Sequence, residues 1–339
     1  MSWRDRDTLG QRAVAEVHDL LRIPEEWLQD REEGFSWWPG LLAQRVWTDE
    51  GLFRNSTTYY RLHTEIDLFR GGRQREQLRT AMEEEMDESH LSALVYDKGS
   101  DTFKLHSSVY AESEIEHWIC KVFHAAAMLQ IAQAYDIVAR ISESMHPSLA
   151  ASQHPTQGAR EEEDAIVGNA LTRFTYEGRL DSRWAGNDEW RDVEWALERQ
   201  AQAWEKTDLK SCRASFYWSP EPEKAIDLLV SSQDPHSVLG SGLHFTLTVP
   251  LKLSAKHVGM MALELNDHER DSWLKTHMLG SWCNHEGLLA FRLFVPNSLY
   301  QEGVLRELSV TMASRAVWVN EFFYRKKGEA DEARKAQLR

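Results

Sequence analysis

Cysteine is scarce in this sequence, and the short signatures that announce familiar chemistry are missing. Cys120, Cys212 and Cys283 stand far apart with no metal-like spacing, which argues against a zinc cluster built on paired thiolates. An odd number of cysteines suits a reducing compartment. The N-terminal MSWRDRDTLG has no apolar signal core, and no run reads as long enough to cross a bilayer, so the expected location is the cytoplasm. Positive charge is also in short supply. A net charge of -15 excludes nonspecific attraction to nucleic acid or an anionic membrane, and the only basic run is Arg325 to Gly328, RKKG. There is no Walker-type phosphate loop, no dinucleotide fingerprint, no HExxH, and no serine between glycines in a strand-turn-helix context.

What is abundant is apolar periodicity, and fourteen tryptophans with it. Leu9 to Ile23 carries Leu9, Ala13, Val17, Leu20 and Leu21 at helical spacing and is closed by Pro24. Leu41 to Trp47 reads as a strand before a turn at Thr48 to Gly51. Thr58 to Phe69 alternates: Tyr60, Leu62, Thr64, Ile66 and Leu68 share one side, against Tyr59, Arg61, His63, Glu65 and Asp67 on a side expected to be wet. Gln74 to Glu88 is helical by propensity. Its carboxylates Glu83, Glu84, Glu85, Asp87 and Glu88 lack a histidine partner and read as a solvated face. Leu91 to Tyr96 and Thr102 to Val109 flank DKGSD, a hairpin turn in which Gly99 is expected to take positive φ. A long helix, Glu112 to Ala139, follows, and its apolar face is too broad for one-sided cover. The sheet and a second element, such as the matching helix of the other unit, are expected to pack on it.

His146 to Glu163 lacks periodicity and reads as a linker. Beyond it the plan returns. Asp164 to Thr175 is a short helix, and Glu189 to Lys206, with Trp190, Val193, Leu197 and Trp204 near one face, is a longer one. Cys212 to Trp218 and Leu243 to Val249 are strands, with a segment of undecided type at Ala225 to Val230. A helix runs from Ser254 to His268, a hairpin forms around the turn HEG, and Gly303 to Phe323 closes the unit as a helix. The fold class expected is therefore α+β: two similar units, each an antiparallel sheet packed with helices in the order α-β-β-α-β-β-α. Residues 1–145 form the first unit, 146–163 the linker, 164–330 the second unit and 331–339 a charged tail.

Residues capable of chemistry have plainer readings. His257, His268, His277 and His285, with Glu286 or Asp267, are the densest metal-like group, but surface or half-buried histidines account for them better. Cys120 has His117 and His124 within helical reach, yet it sits in the apolar middle of a core helix. Asp97, Asp101, His106 and His63 are polar positions expected to face solvent or a partner. No catalytic, metal or cofactor-binding residues are assigned, and no cofactor is expected.

The phrase SALVYDKGSDTFKLHSSVYA before a long alanine-containing helix resembles the type III secretion chaperone-like fold and the YbjN-like bacterial proteins that share it. The corresponding residues are Leu94 to Val109 with Glu112 to Ala139, and Trp282 to Val295 with Val304 to Phe323. MALELND, Met261 to Asp267, is similar to a leucine-asparagine phrase that often precedes the third strand in that family. The resemblance implies an acidic, non-catalytic protein that binds a partner polypeptide. It also implies either a monomer whose two units stand in for the family's dimer or a homodimer. Trp37, Trp38, Trp118, Phe123, Tyr135, Trp318 and Phe322 are the candidate partner-binding residues, because aromatics anchor interfaces at modest entropic cost. The competing reading is an enzyme with its active site in a cleft between the units.

Overall fold

A computed structural model describes residues 2–86, 91–198, 200–271 and 276–337. It is α+β, with two antiparallel sheets packed with helices. Helix α1 (Leu9–Leu21) begins at a reciprocal cap, in which Thr8 Oγ1 accepts from the Gln11 N–H and Gln11 Oε1 from the Thr8 N–H. It buries Leu9, Ala13, Val17 and Leu21 and leaves Leu20 exposed. Five strands follow: β1 (Leu28–Asp30), β2 (Gly34–Trp37), β3 (Gln44–Thr48), β4 (Leu52–Arg54) and β5 (Thr57–Arg70). Helix α2 (Arg75–Glu85) then leads to the hairpin β6 (Ala93–Asp97) and β7 (Thr102–Ala111), and α3 (Glu116–Ser144) closes the first half. Asp87, Glu88 and His90 lie outside the described residues.

The second half contains α4 (Ala165–Glu177), α5 (Glu189–Glu198), β8 (Ala203–Asp208), β9 (Ser211–Tyr217), β10 (Ala225–Ser231), β11 (Gly242–Val249), α6 (Ala255–Asp271), β12 (Ser281–His285), β13 (Leu288–Pro296) and α7 (Val304–Gln337). The first sheet runs β1-β2-β3-β5-β7-β6, with β4 paired only to β5, and the second runs β8-β9-β10-β11-β13-β12. Strand for strand the connectivity is the same. Each sheet is a four-strand antiparallel meander, joined through a helix to a hairpin whose second strand pairs with the end of the meander.

Several expectations are corrected by this order. A four-strand meander precedes the middle helix where two strands were expected, because the short β1 and β2 and the segment Ala225–Ser231 all pair in register. The helix expected over Glu189 to Lys206 ends at Glu198. Residues Ala203–Asp208, Trp204 among them, form edge strand β8, paired to β9. In the DKGSD turn it is Asp101, not Gly99, that takes positive φ, at 52°. Its carboxylate pins the bend by accepting from the Gly72 N–H and the Tyr96 hydroxyl.

Helix α3 is buried nearly all round. It packs on β5 and β7, on α1, and on α4 and the short 3-10 helix Asn297–Leu299 from the second half. By length and composition α3 is the one helix among the described residues that could cross a membrane, and here it forms the core of the first half. Residues 146–163, expected as a linker, are irregular but docked. Ser148 O accepts from the Arg70 N–H and the Ala150 N–H donates to Leu68 O, each at 2.9 Å.

Candidate functional site

Strand pairing puts matching rungs on the two sheets. In the first, Ala93, His106, Glu65, Arg45 and Ser36 lie side by side across β6, β7, β5, β3 and β2. In the second the same rung reads Ser281, Arg292, Thr246, Leu229 and Arg213. The following rung aligns His63 with His244. Leu62, Thr64, Ile66 and Leu68 face the helices, as their alternation requires, so these rungs lie on the outer faces.

The outer face of the first sheet, expected to be wet, is buried. Arg61, His63, Glu65, Lys104 and His106 are each no more than 7 % exposed. Charges this deep persist only when paired, and here the pairing is dense. Glu65 is bound by Arg45, by Lys104 Nζ at 3.3 Å and by His106 Nδ1 at 3.3 Å. Lys104 also reaches Asp97 at 3.0 Å, and His63 Nε2 meets Asp49 at 3.1 Å. Trp47 stacks flat on His63 with ring centroids 4.7 Å apart. Burial alone would raise the Glu65 carboxyl, but His106, Arg45 and Lys104 hold it well below the usual carboxylate range. Burial lowers both imidazoles, His106 to about 4, against the pull of their carboxylate partners. Both rings are therefore neutral at pH 7.

The cover over this face comes from the second half of the chain. Arg61 donates to Arg270 O at 2.9 Å, at the C-terminal end of α6, where free carbonyls attract a cation. Past the start of β6, the Ser108 N–H of β7 donates to Met278 O at 3.1 Å, so a piece of the second half adds to the first sheet. The Tyr110 N–H donates to His277 Nδ1, and burial together with Arg315 holds the His277 ring neutral, its pKa lowered to about 3.

Asn266, fully buried on α6, lies where the hairpins of the two halves meet. Its side-chain carbonyl accepts from the Trp282 N–H at 2.8 Å, while its amide donates to Trp282 O at 3.1 Å and to Leu94 O at 2.9 Å. The amide side chain thus behaves as one residue of a strand inserted beside β12, with its remaining donor spent on β6. Three residues along, Glu269 forms a fully buried pair with Arg315 of α7 (Nε to Oε1, 2.9 Å). Glu269 also accepts from Trp282 Nε1, and the Arg315 guanidinium lies 3.7 Å from the centre of the Phe291 ring. Nothing in the local pattern around the MALELND phrase distinguishes Asn266 from a surface asparagine. Its helix phase, one residue after the buried Leu265, was the only available signal.

The outer face of the second sheet is open. Ala203, Glu205, Arg213, Ser215, Asp227, Leu229, Thr246, Thr248, Glu286 and Leu288 line a trough of about 770 Å³. Three carboxylates against one guanidinium leave it acidic, and Leu229 and Leu288 give it an apolar floor and lip. A second cavity, about 400 Å³, lies where the two halves meet, between α2, the β6–β7 hairpin and α6. Tyr96, Phe103 and Met261 line it together with Arg75, Arg79 and Lys98. Glu76, Glu264, Asp267 and His257 line it as well, and no cysteine does.

The seven aromatics expected to meet a partner are scattered. Trp37, Trp38, Trp118 and Phe123 are at most 3 % exposed within the chain itself. Trp37 Nε1 donates to Gln44, whose amide closes a buried network with Thr64 and Gln130. Trp38 Nε1 donates to Ser152 O. Tyr135 is half-buried beside Leu42, its phenol raised to about 12 by burial. Trp318 and Phe322, also half-buried, pack together on α7 next to His268. The structure brings only these last two together.

Cys120 is buried, and its thiol is pushed up to about 12, a state unsuited to a nucleophile. His257 bonds Ser254 and His277 bonds backbone, and no group of three metal-ligating side chains occurs among the described residues. Comparison of the chain with family models, curated proteins and solved structures finds no match.

Proposed function

We propose that the chain is a non-catalytic binding module that engages a partner polypeptide on the outer face of its second sheet. One observation carries this reading. Two sheets of identical connectivity differ in that the first has its outer face closed by polypeptide and the second has the same face open. The closed face displays the kind of occupant such a surface accepts: a helix end presenting carbonyls and a short extended segment adding to a strand. Matched to the open trough, the occupant carries basic side chains for Glu205, Asp227 and Glu286 and small apolar ones for Leu229 and Leu288.

The resemblance to the type III secretion chaperone-like fold and to YbjN-like proteins agrees with this reading. In both halves a tight hairpin is followed by a long helix, and the halves meet as two units of one chain. The four-strand meander in each half departs from the two-strand plan taken from that resemblance. The alternative is an enzyme working in the cavity between the halves, where His257, bonded to Ser254, and the carboxylates Glu76, Glu264 and Asp267 are among the lining residues.

A photo-crosslinking residue placed at Leu229 or Thr246 in the native cell tests the proposal. Capture of a discrete polypeptide from these positions, and none from the same probe at Leu20 on the far helix, is the expected result. Failure to crosslink from the trough, or equal yield from Leu20, removes the proposal.

A further inference from the structure

Beside the closed network of the first sheet lies a cavity of about 460 Å³ that the binding reading leaves unused. It forms on the outer face over β2 and β3. Gly34 is paired with Trp47 there, and a Cβ built on Gly34 would stand 2.0 Å from Val46 O, so this position admits no side chain. The missing side chain leaves the wall formed by Trp47 uncovered. That indole is held in place by its stack on His63, which is itself anchored by Asp49.

Three features point to a ligand. The Ser36 hydroxyl, on a residue only 2 % exposed that lines the cavity, has no hydrogen-bond partner among the described residues. A buried hydroxyl left so calls for water or a bound group. The rim carries both signs of charge. Arg31 and Arg45 stand among the lining residues with Glu32 and Glu33. Arg45 is partly committed to Glu65 and Asp67 but keeps 42 % of its side chain exposed, while the exposed Arg31 guanidinium bonds Gln29. On the acidic side, burial first, and then Asp49, Glu32 and Glu50, raise the Glu33 carboxyl, so a cation placed there would be welcome.

We propose that this cavity is a binding site for a small zwitterion with a planar apolar body, chemically an α-amino acid bearing an aromatic side chain. The ligand's carboxylate meets Arg31, Arg45 and the Ser36 hydroxyl, its ammonium meets Glu32 and Glu33, and its ring lies against Trp47. A rim that sums to zero charge disfavours a simple anion and a simple cation alike, because each leaves two charges of the opposite kind unanswered. The volume falls within the range of ordinary small-molecule sites.

Calorimetric titration of the full chain with L-phenylalanine, phenethylamine and 3-phenylpropionate tests this. The expected result is single-site binding of L-phenylalanine, with both half-charged analogues weaker by roughly tenfold or more, the scale of one lost charge-assisted hydrogen bond. Arg31→Gln and Glu33→Gln each weaken phenylalanine by a similar factor and leave the thermal midpoint unchanged, since both residues are exposed. No saturable heat at millimolar phenylalanine overturns the proposal. Equal binding of either analogue, or undiminished binding by both variants, overturns it as well.

Discussion

The two sheets share their strand order and differ in what lies on their outer faces. Where the first carries His106, Glu65 and Arg45, the second carries Arg292, Thr246 and Leu229. A carboxylate in the middle of the first rung collects Arg45, Lys104 and His106 into a network that survives burial. The second rung has a hydroxyl in the same place and lines a trough open to water. The difference teaches that in this architecture the face chemistry, not the connectivity, decides whether an outer surface becomes an internal contact. The face covered by its own chain carries charges paired at its centre, whereas the free face has Thr246 and Leu229 at its centre and carboxylates spread around them.

The sharpest way to break this comparison is to substitute the same rung position in each sheet. Glu65→Ala removes the carboxylate shared by Lys104, His106 and Arg45, leaves Lys104 to Asp97 and Asp67 and Arg45 to Asp67, and is expected to cost about 3 kcal/mol, the low end for breaking a buried pair. Thr246→Ala, its counterpart on the open face, is expected to stay within about 0.5 kcal/mol. Urea unfolding of the two variants measures both, and similar losses would show that the faces are not energetically distinct. Next in size is the seam. Asn266→Ala leaves the Trp282 N–H and the Leu94 carbonyl without partners and is expected to cost about 1–3 kcal/mol. It should also loosen the coupling of the halves, so that heat unfolding, followed by fluorescence and by circular dichroism, no longer gives coincident curves.

Acid offers a graded test of the same buried face. The His63 and His106 rings titrate below their ordinary value in the folded chain, so between the unfolded pKa of about 6.5 and the folded one the unfolded chain binds more protons. For His106 stability is therefore full above about pH 6.5 and falls as pH drops toward about 4, and for His63 it falls in the same direction, by up to about 1.4 kcal/mol per pH unit for each ring. The half-buried His124 and His244 and the buried His277, also lowered, add to the slope. His106→Asn is expected to remove one ring's share of it. A chevron-free measurement suffices: the urea midpoint at several pH values, where an unchanged slope in the variant would deny His106 its part.

Much of the scaffold was legible in the residues. The alternation of Leu62, Thr64, Ile66 and Leu68 placed β5, and that of Leu243, Phe245, Leu247 and Val249 placed β11, because half-buried strands must alternate. The breadth of the α3 face announced that more than a sheet would cover it. Short strands were harder. Three-residue β1 has no room for a period, and Trp204 and Val193 gave residues 189–206 a helical look although the chain turns after Glu198 to supply an edge.

The candidate site was less legible for a physical reason. Arg61, His63, Glu65 and Asp67 alternate with apolar residues as any solvent-facing row does, and only long-range partners such as Arg270 and Met278 convert that row into an interior. Aromatic content misled in the opposite direction. Trp37 and Trp118 have the size that interfaces favour, but a core uses the same size, and local sequence does not separate the two. The Ser36 cavity depends on a glycine opposite a tryptophan across two strands, a pairing fixed by register and not by spacing along the chain.

The bond from Arg61 to the Arg270 carbonyl joins residues 209 positions apart. A ribosome adding about 5–20 residues per second delivers the second partner on the order of 10–40 seconds after the first. For that interval a nascent first half has every strand it needs and still carries His63, Glu65, Lys104 and His106 on a surface with no lid. The first sheet is made early but is covered only when residues 270–278 arrive, shortly before the hairpin that completes the second sheet, so synthesis rate is a variable to which the folding yield of this chain is sensitive.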